Sequence, residues 1–457
     1  MNGMVPYVDF SDSKGPLLWL IYGLGYVLNH HSYVGVFWMS VPFYTATLFF
    51  AYKLCRLYTG KQASVLAVTA LPFFLFFYKL HCEVRAEDFN STFVMLALYC
   101  MCQVLHRDNL STKTYSQCSA GVGLAIGCCL LIKWNCAVML LAIAAVVAWE
   151  GLRRHIFLHG LKGFVIGFLI IVIPFAVYLA AYGALDNCIR EYIANTFSAV
   201  NNVEQTNGAP LHFSIWKIVR KFFILILLGN IFFCWRYKTG PWIPICYIVF
   251  LLLAACGEFA IYFAVALPFA LFLILPVADY VTDKARRIPW LTTVLCTMAA
   301  IVVICFNIRG INAAYKNAER DRAKYYRGAY VMSQISRPRL MFCDFEGGIG
   351  TPCGGLPACR YYGFLYRGSE EMKEQRHQAL REGKPDFIIW AGEGFSGITK
   401  AEIERCGYVF YCYAIDSGLY KEVSIFGRPG LRMPPSDFHV TQWDVWLKRD
   451  IFGVSRR

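Results

Sequence analysis

The sequence predicts a mainly α-helical membrane protein, with a multi-pass helical domain followed by a small C-terminal α/β domain on the exterior side. Three observations carry that prediction. The 457-residue chain is 57% hydrophobic and 16% aromatic with only 16% charged residues, and its mean hydropathy is +0.45, outside the balance of a soluble chain. Its apolar residues come in blocks that stop near residue 309. The loops between the blocks are short, and their lysines and arginines fall mainly on alternate ones.

Residues 1–32 read as an exterior loop. Its apolar stretch, Leu17 to Leu28, is shorter than the ~20 residues of a span. It is preceded by acidic residues, so it lacks the basic flank of a secretory signal peptide, and it reads as a helix lying in the membrane interface. About ten spans follow within residues 33–309: 33–52, 63–78, 89–105, 119–132, 134–149, 163–182, 222–235, 242–256, 259–278 and 290–308.

Basic loop residues favour the cytoplasmic side. With the N-terminal segment outside, the cytoplasmic loops hold Lys53, Arg56 and Lys61, then Arg107 and Lys113, then Arg153, Arg154 and Lys162, then Arg236 and Lys238, then Lys284, Arg286 and Arg287. The opposite loops carry fewer, with Lys217, Arg220 and Lys221 the main exception. This pattern requires a break at Lys133, Trp134 and Asn135, because merging the two spans there puts later basic loops on the wrong side. It also places residues 310–457 outside. The net charge of +14 then follows largely from topology and calls for no nucleic-acid partner.

Most of the 19 cysteines lie within spans, where a thiol behaves as a small apolar side chain. No cysteine pair has zinc-ligand spacing with histidines. The sequence requires no cofactor, and it leaves a divalent-metal requirement open. Cys353 and Cys359 flank a Gly-Gly-Leu-Pro-Ala turn and either bridge in an oxidising compartment or remain free.

The exterior domain begins with a polar, helix-like stretch at residues 311–335. Strand-like runs LMFCDF, PDFIIW, YVFYCYAI and KEVSIFG follow, with GSEEMKEQRHQALREG as an intervening helix. GGIGTPCGG has neither the spacing nor the following Lys-Ser or Lys-Thr of a phosphate-binding loop, and reads as an ordinary loop.

Charge suited to chemistry gathers in the outward loops. In YVDFSDSKGP, Asp9 and Asp12 precede Lys14, and Gly-Pro leads into the interfacial helix. A carboxylate can take the proton of an acceptor hydroxyl, and a lysine can hold a phosphate as a point charge. Together they suit displacement at a sugar carbon whose leaving group is a lipid phosphate. The competing reading is solvated loop charge, with Lys14 reaching toward lipid headgroups.

In LHCEVRAEDF, Glu83, Arg85, Glu87 and Asp88 precede a span. They either mark its end or contact substrate, and the Arg85 fork is suited to phosphate. Lys133, in the break between two apolar segments, is a further phosphate candidate, with snorkelling as the alternative. Glu258, in ACGEFAIYFAVALPF, is either a loop carboxylate or an acceptor-binding group. The longest outward loop, 183–213, contains EYIANTFSAVNNVEQTNG.

Several of these stretches resemble one family. Residues 3–19 read G-x-V-P-Y-x-D-F-x-D-x-K-G-P-L-L-W, followed by the EDF that opens a span, GLAIGCCLLIKWN and IYFAVALPFALFLILP. Together they resemble the bacterial branch of the polyprenyl-phosphate-sugar-dependent glycosyltransferases. These belong to the GT-C superfamily, which includes the protein O-mannosyltransferases and the lipid A aminoarabinose transferase.

The resemblance implies a GT-C-like transmembrane domain in the bacterial inner membrane, with the N-terminal segment and C-terminal domain on the periplasmic side. It implies inverting transfer from a polyprenyl-phosphate sugar to a glycan, lipid or protein acceptor, with Lys14 meeting the lipid phosphate. Members of the family begin with a span, and the aspartate taken as their base lies upstream of the segment matched by Asn2 and Gly3. The expectation is therefore either a preceding segment or substitution by Asp9 and Asp12 as catalytic carboxylates. Two alternatives stay open: a transporter or flippase for a lipid-linked sugar, and an inactive relative that binds polyprenyl lipid. Carriers place ionisable groups deep in their spans, whereas here the charge lies at span ends.

Overall fold

The computed structural model describes residues 4–11, 14–29, 34–77, 85–194, 212–255, 260–285, 290, 293–302, 304–305, 328, 331–343, 355–361, 370–392, 397–417 and 420–431. The chain is a multi-pass helical membrane protein with a small C-terminal sheet domain. Among the described residues, six helical stretches are long and apolar enough to cross a membrane, and shorter apolar helices accompany them.

Helix α1 (Pro16–Leu28) opens with proline at its first position, where a fixed φ favours the turn and no N–H is lost to the helix. It is followed by α2 (Val34–Tyr58), α3 (Lys61–Phe77), α4 (Ala86–His106), α5 (Thr112–Ile132), α6 (Trp134–Arg153) and α7 (Phe157–Ala181). Several helices overrun the predicted spans, because helical hydrogen bonding can continue past the hydrocarbon edge into the polar loops. For α5 the cap is Ser111, whose Oγ accepts from Thr114 N at 3.2 Å. Helix α4 starts at Ala86 rather than near residue 89, since acidic residues favour the positive N-terminal end of a helix. Glu87 and Asp88 thus belong to its first turn.

The break between α5 and α6 falls at Lys133, which is extended (φ −157°, ψ 102°). Beyond α7 a short helix, α8 (Leu185–Cys188), runs into a π-helical turn, Ile189–Ala194. Then come α9 (His212–Tyr237), α10 (Trp242–Ala255), a 3-10 helix (Ala260–Ala270) and α11 (Leu271–Ala285). Prolines 42, 72, 174, 268 and 276 lie inside these helices, which is tolerated where neighbouring helices satisfy the freed carbonyls.

Within a bilayer, helices gain little from hiding apolar side chains from lipid tails, so close backbone approach matters more. Helices α5 and α7 supply it with facing Gly-x-x-x-Gly pairs, Gly123/Gly127 and Gly163/Gly167. A Cβ at Gly123 would stand 2.1 Å from Phe164 O, at Gly163 2.2 Å from Ser116 O, and at Gly167 2.0 Å from Ala120 O. Buried Phe233, Phe250, Phe269 and Phe272 join the same apolar core from α9, α10, the 3-10 helix and α11.

Among the described residues, the sheet domain has five strands in the order β2-β1-β3-β5-β4. These are β1 (Arg339–Cys343), β2 (Leu356–Pro357), β3 (Phe387–Trp390), β4 (Val409–Ser417) and β5 (Tyr420–Gly427). Strand β1 pairs in parallel with β2 and β3, whereas β5 runs antiparallel to both β3 and β4. Alternate side chains serve two apolar layers. Leu340, Phe342, Phe387, Ile389 and Ile425 pack with Val331 and Met332. Met341, Cys343, Ile388 and Phe426 pack with Leu380 of α12 (Glu370–Arg381) and Ile403 of α13 (Lys400–Arg405).

Four of these strands overlie the predicted runs. Two-residue β2 was not anticipated, being too short to show a period. The polar stretch at 311–335 lies mostly outside the described residues, as does Cys353 and with it the question of a bridge to Cys359.

The glycine seam between α5 and α7 gives a first prediction. Gly167→Val forces those backbones apart and is expected to cost about 1–3 kcal/mol, read as a lower unfolding midpoint in detergent. An equal change at Gly60, where an added Cβ meets nothing within 4 Å, should be nearly neutral.

Candidate functional site

The site is built around the end of α5. The last carbonyls of a helix lack intrahelical partners, and in a bilayer such groups need protein neighbours. Ile132 O accepts from Gly15 N at 3.0 Å, and Leu130 O accepts from the Tyr192 hydroxyl at 2.7 Å. The first bond brings Lys14 and Gly15 of the N-terminal segment against Ile132 and Lys133. The second brings the π-helical turn to the same place.

Gly15 is required by that approach, because a Cβ on it would lie 2.1 Å from Leu131 O. Behind Gly15, Leu18 and Ile21 of α1 pack with Ala86, Phe89 and Ile132, tying α1 to the start of α4 and the end of α5.

The segment before Lys14 is a compact loop. Tyr7 is fully buried and has φ 66°, a left-handed conformation that a non-glycine residue adopts only when held there. Its N–H donates to Phe10 O at 2.7 Å, its hydroxyl donates to Lys14 O, and its carbonyl accepts from Asn187 Nδ2 at 3.1 Å. Phe10 meets Trp19 edge-on with ring centroids 4.9 Å apart. Asp9 is exposed, and its carboxylate accepts from Val5 N at 2.6 Å. The P-Y-x-D-F letters are therefore largely explained by loop closure, with Asp9 capping the turn.

Opposite stand the first residues of α4. Arg85 occupies the N-cap position, and its N–H donates to Asp88 Oδ2 at 2.9 Å. Asp88 thus completes a helix cap in which its charge also meets the positive end of the helix. Glu87 is 3% exposed and pairs with the Lys133 ammonium. The opposite charges compensate each other where both are largely removed from water.

The structure brings together Lys14, Arg85, Glu87, Asp88 and Lys133 at one end of the helical domain, with Asp9 in the adjoining loop. Asp12, Glu83 and Glu258 lie outside the described residues. The cations Lys14, Arg85 and Lys133 outnumber the carboxylates Glu87 and Asp88 here, and that excess suits an anionic ligand, the more so where water is excluded. Among the described residues, no three His, Cys, Asp or Glu side chains converge as a metal site.

A second cluster escaped the sequence. Glu191, on the π-helical turn, is 5% exposed and pairs with the Arg360 guanidinium of the sheet domain. The Tyr361 hydroxyl donates to the same Glu191 oxygen at 3.1 Å. Nothing in EYIANTFSAV marks Glu191, because its partners are about 170 residues away and share no periodic pattern with it. Nearby, burial pushes the Cys188 thiol up to about 11, with a Tyr7 hydrogen bond opposing the shift and Glu191 adding to it.

A family model described as dolichyl-phosphate-mannose-protein mannosyltransferase matches residues 13–179, a stretch that begins beside Lys14 and ends in α7. A search of curated proteins finds no match. Among solved structures, ArnT from Cupriavidus metallidurans in the apo state superposes with a TM-score of 0.59 at 11% identity, covering 92% of this chain and 88% of that one. The same protein bound to undecaprenyl phosphate gives 0.57 at 11% identity, covering 91% and 87%. The helical domain and its sheet domain together share the fold of these ArnT structures.

Two predictions follow from this geometry. Lys133→Met strands the buried Glu87 charge and should cost about 3–5 kcal/mol. The double variant Lys133→Met with Glu87→Gln should recover much of that loss in a thermal-unfolding cycle. Gly15→Val should detach the N-terminal loop from α5, seen as faster amide exchange across residues 4–11 in a protein that otherwise stays folded.

Proposed function

We propose that this GT-C chain is an inverting glycosyltransferase that moves a sugar from a polyprenyl-phosphate donor to a glycan, lipid or protein acceptor on the outer face of a bacterial inner membrane. The observation that carries this reading is the docking of Lys14 and Gly15 on the broken end of α5, beside the Lys133–Glu87 pair. It supports a fixed cationic floor for a lipid phosphate at the end of the bundle where α1 presents Leu20, Leu24, Val27 and Leu28 on its exposed face. That face suits a helix lying in the membrane interface.

In this reading residues 1–32 are the exterior loop, 33–309 the membrane domain of about ten spans, and 310–457 the exterior domain. Basic residues in the alternate loops support that orientation. ArnT, whose fold this chain shares, has been seen with undecaprenyl phosphate bound, which supports the same ligand class here.

The roles are assigned as follows. Lys14, Arg85 and Lys133 neutralise the departing phosphate, a preorganised charge that does most when water is excluded. Asp9 or Asp12 takes the acceptor proton. Glu83, Glu87, Asp88 and Glu258 are assigned to sugar or acceptor binding, Glu87 also holding Lys133 in place. An inverting displacement forms the new glycosidic bond as the sugar–phosphate bond breaks, so the phosphate leaves with the bonding pair and the acceptor proton passes to the carboxylate.

The test is transfer by the full chain in proteoliposomes supplied with a polyprenyl-phosphate sugar and an extracted envelope acceptor, with the product anomer determined. Lys14→Ala should lower kcat/KM about a hundredfold, the scale of losing one preorganised charge-stabilising group. Full activity in both Asp9→Asn and Asp12→Asn would remove those two carboxylates from the mechanism. Solute flux without sugar transfer would instead identify a carrier.

A further inference from the structure

Three segments far apart in sequence close a ring around the loop that precedes Lys14. From one side, Asn187 donates to Tyr7 O at 3.1 Å, and Tyr7 in turn donates through its hydroxyl to Lys14 O. From the other side, Ser11 N donates to Arg360 O at 2.9 Å. The ring is completed by Glu191, one helical turn beyond Asn187, which accepts from both the Arg360 guanidinium and the Tyr361 hydroxyl. Tyr192, its neighbour, is fixed to Leu130 O at the end of α5.

The central pair is unusual in its environment. The Glu191 side chain is 4% exposed and that of Arg360 25%. Arg360 also lies over the Tyr361 ring, 5.4 Å from its centroid. Among the described residues, Glu191 Oε2 and Arg360 Nε are both buried without a hydrogen-bond partner, so the contact is one-pronged where a guanidinium and a carboxylate can make two bonds. A buried pair with unsatisfied atoms is a poor source of stability, and its best-attested use is to fix register between parts of a structure.

We propose that Arg360 and Glu191 are positioning residues: their ion pair locks the sheet domain onto the loop before Lys14 and so sets the register in which Lys14 meets the donor phosphate. The Lys14 part of this rests on the function proposed above. The lock itself is independent of it, since it concerns only how the sheet domain and the N-terminal loop are joined. Neither residue touches the reacting atoms. Their effect passes through the backbone bond from Ser11 to Arg360, and through the Asn187 and Tyr7 side chains to Lys14 O.

Cys188 reports on the lock without any reference to activity. It is 6% exposed, packs with Tyr7 and Tyr192, and holds its proton at neutral pH. Because the thiolate is the reactive form, opening the ring both uncovers the sulfur and brings its pKa back toward the ordinary range.

The experiment measures alkylation of Cys188 at pH 8 by peptide mass mapping in the full-length protein, together with KM and kcat for the polyprenyl-phosphate sugar. Arg360→Ala is compared with Arg360→Lys and Glu191→Gln. Cys188 alkylation is expected to rise about tenfold in Arg360→Ala, and KM for the donor to rise about tenfold with a smaller change in kcat. Arg360→Lys keeps the charge and should restore part of both, which also covers the case in which the alanine variant fails to fold.

Unchanged Cys188 protection in folded Arg360→Ala and Glu191→Gln would overturn the lock. Faster alkylation with unchanged KM would overturn the positioning role. If the wild-type protein transfers no sugar, the function proposed above fails, whereas the alkylation result still decides whether the lock exists.

Discussion

The structure around the site depends on one constraint: the helical hydrogen bonds of α5 stop at Ile132, and the carbonyls left open need partners that a bilayer does not supply. Gly15 N answers Ile132 O and the Tyr192 hydroxyl answers Leu130 O. Those two bonds recruit the N-terminal loop and the loop after α7 to the same few residues. Gly15 is the residue that permits it, since any side chain would meet the Leu131 carbonyl. The break also turns Lys133 away from the helix ladder and toward Glu87.

Charge is then disposed in pairs around this junction. Lys133 meets Glu87, and Arg360 meets Glu191. The two carboxylates are almost completely buried, and their cations less so. In each pair the cation therefore remains on the wetter side, where an anion can approach, while the carboxylate anchors it from within. Burial of this kind is expensive unless both charges are present, so the arrangement favours a single geometry over a loose one. Asp88 and Asp9 instead satisfy backbone N–H groups of Arg85 and Val5, using carboxylates to hold the local chain in shape.

Much of the site was legible in the letters, but for reasons that differ by residue. Lys133 stood out because a lysine followed by Trp-Asn interrupts an apolar block, and the alternation of basic loops required a break there. Lys14 stood out through the two aspartates before it and the Gly-Pro after it, and the P-Y-x-D-F letters through their resemblance to a family motif. The same stretch did not reveal that Tyr7 would close the loop onto Lys14 O, because that bond depends on a left-handed turn at Tyr7. Glu191, Arg360 and Tyr361 were silent in sequence, since an ion pair 169 residues apart leaves no spacing to read.

By itself the sequence determined that this chain is a helical membrane protein with a small α/β domain after it, because hydropathy blocks and basic loops act locally and need no knowledge of neighbours. Periodicity determined four of the five described strands for the same reason. Only the tertiary structure decided which groups meet: that α5 and α7 touch through facing glycines, that Gly15 seats on the end of α5, and that Glu191 joins the sheet domain to the turn after α7. Those contacts are set by close approach between distant segments, and close approach is a property of the packed chain.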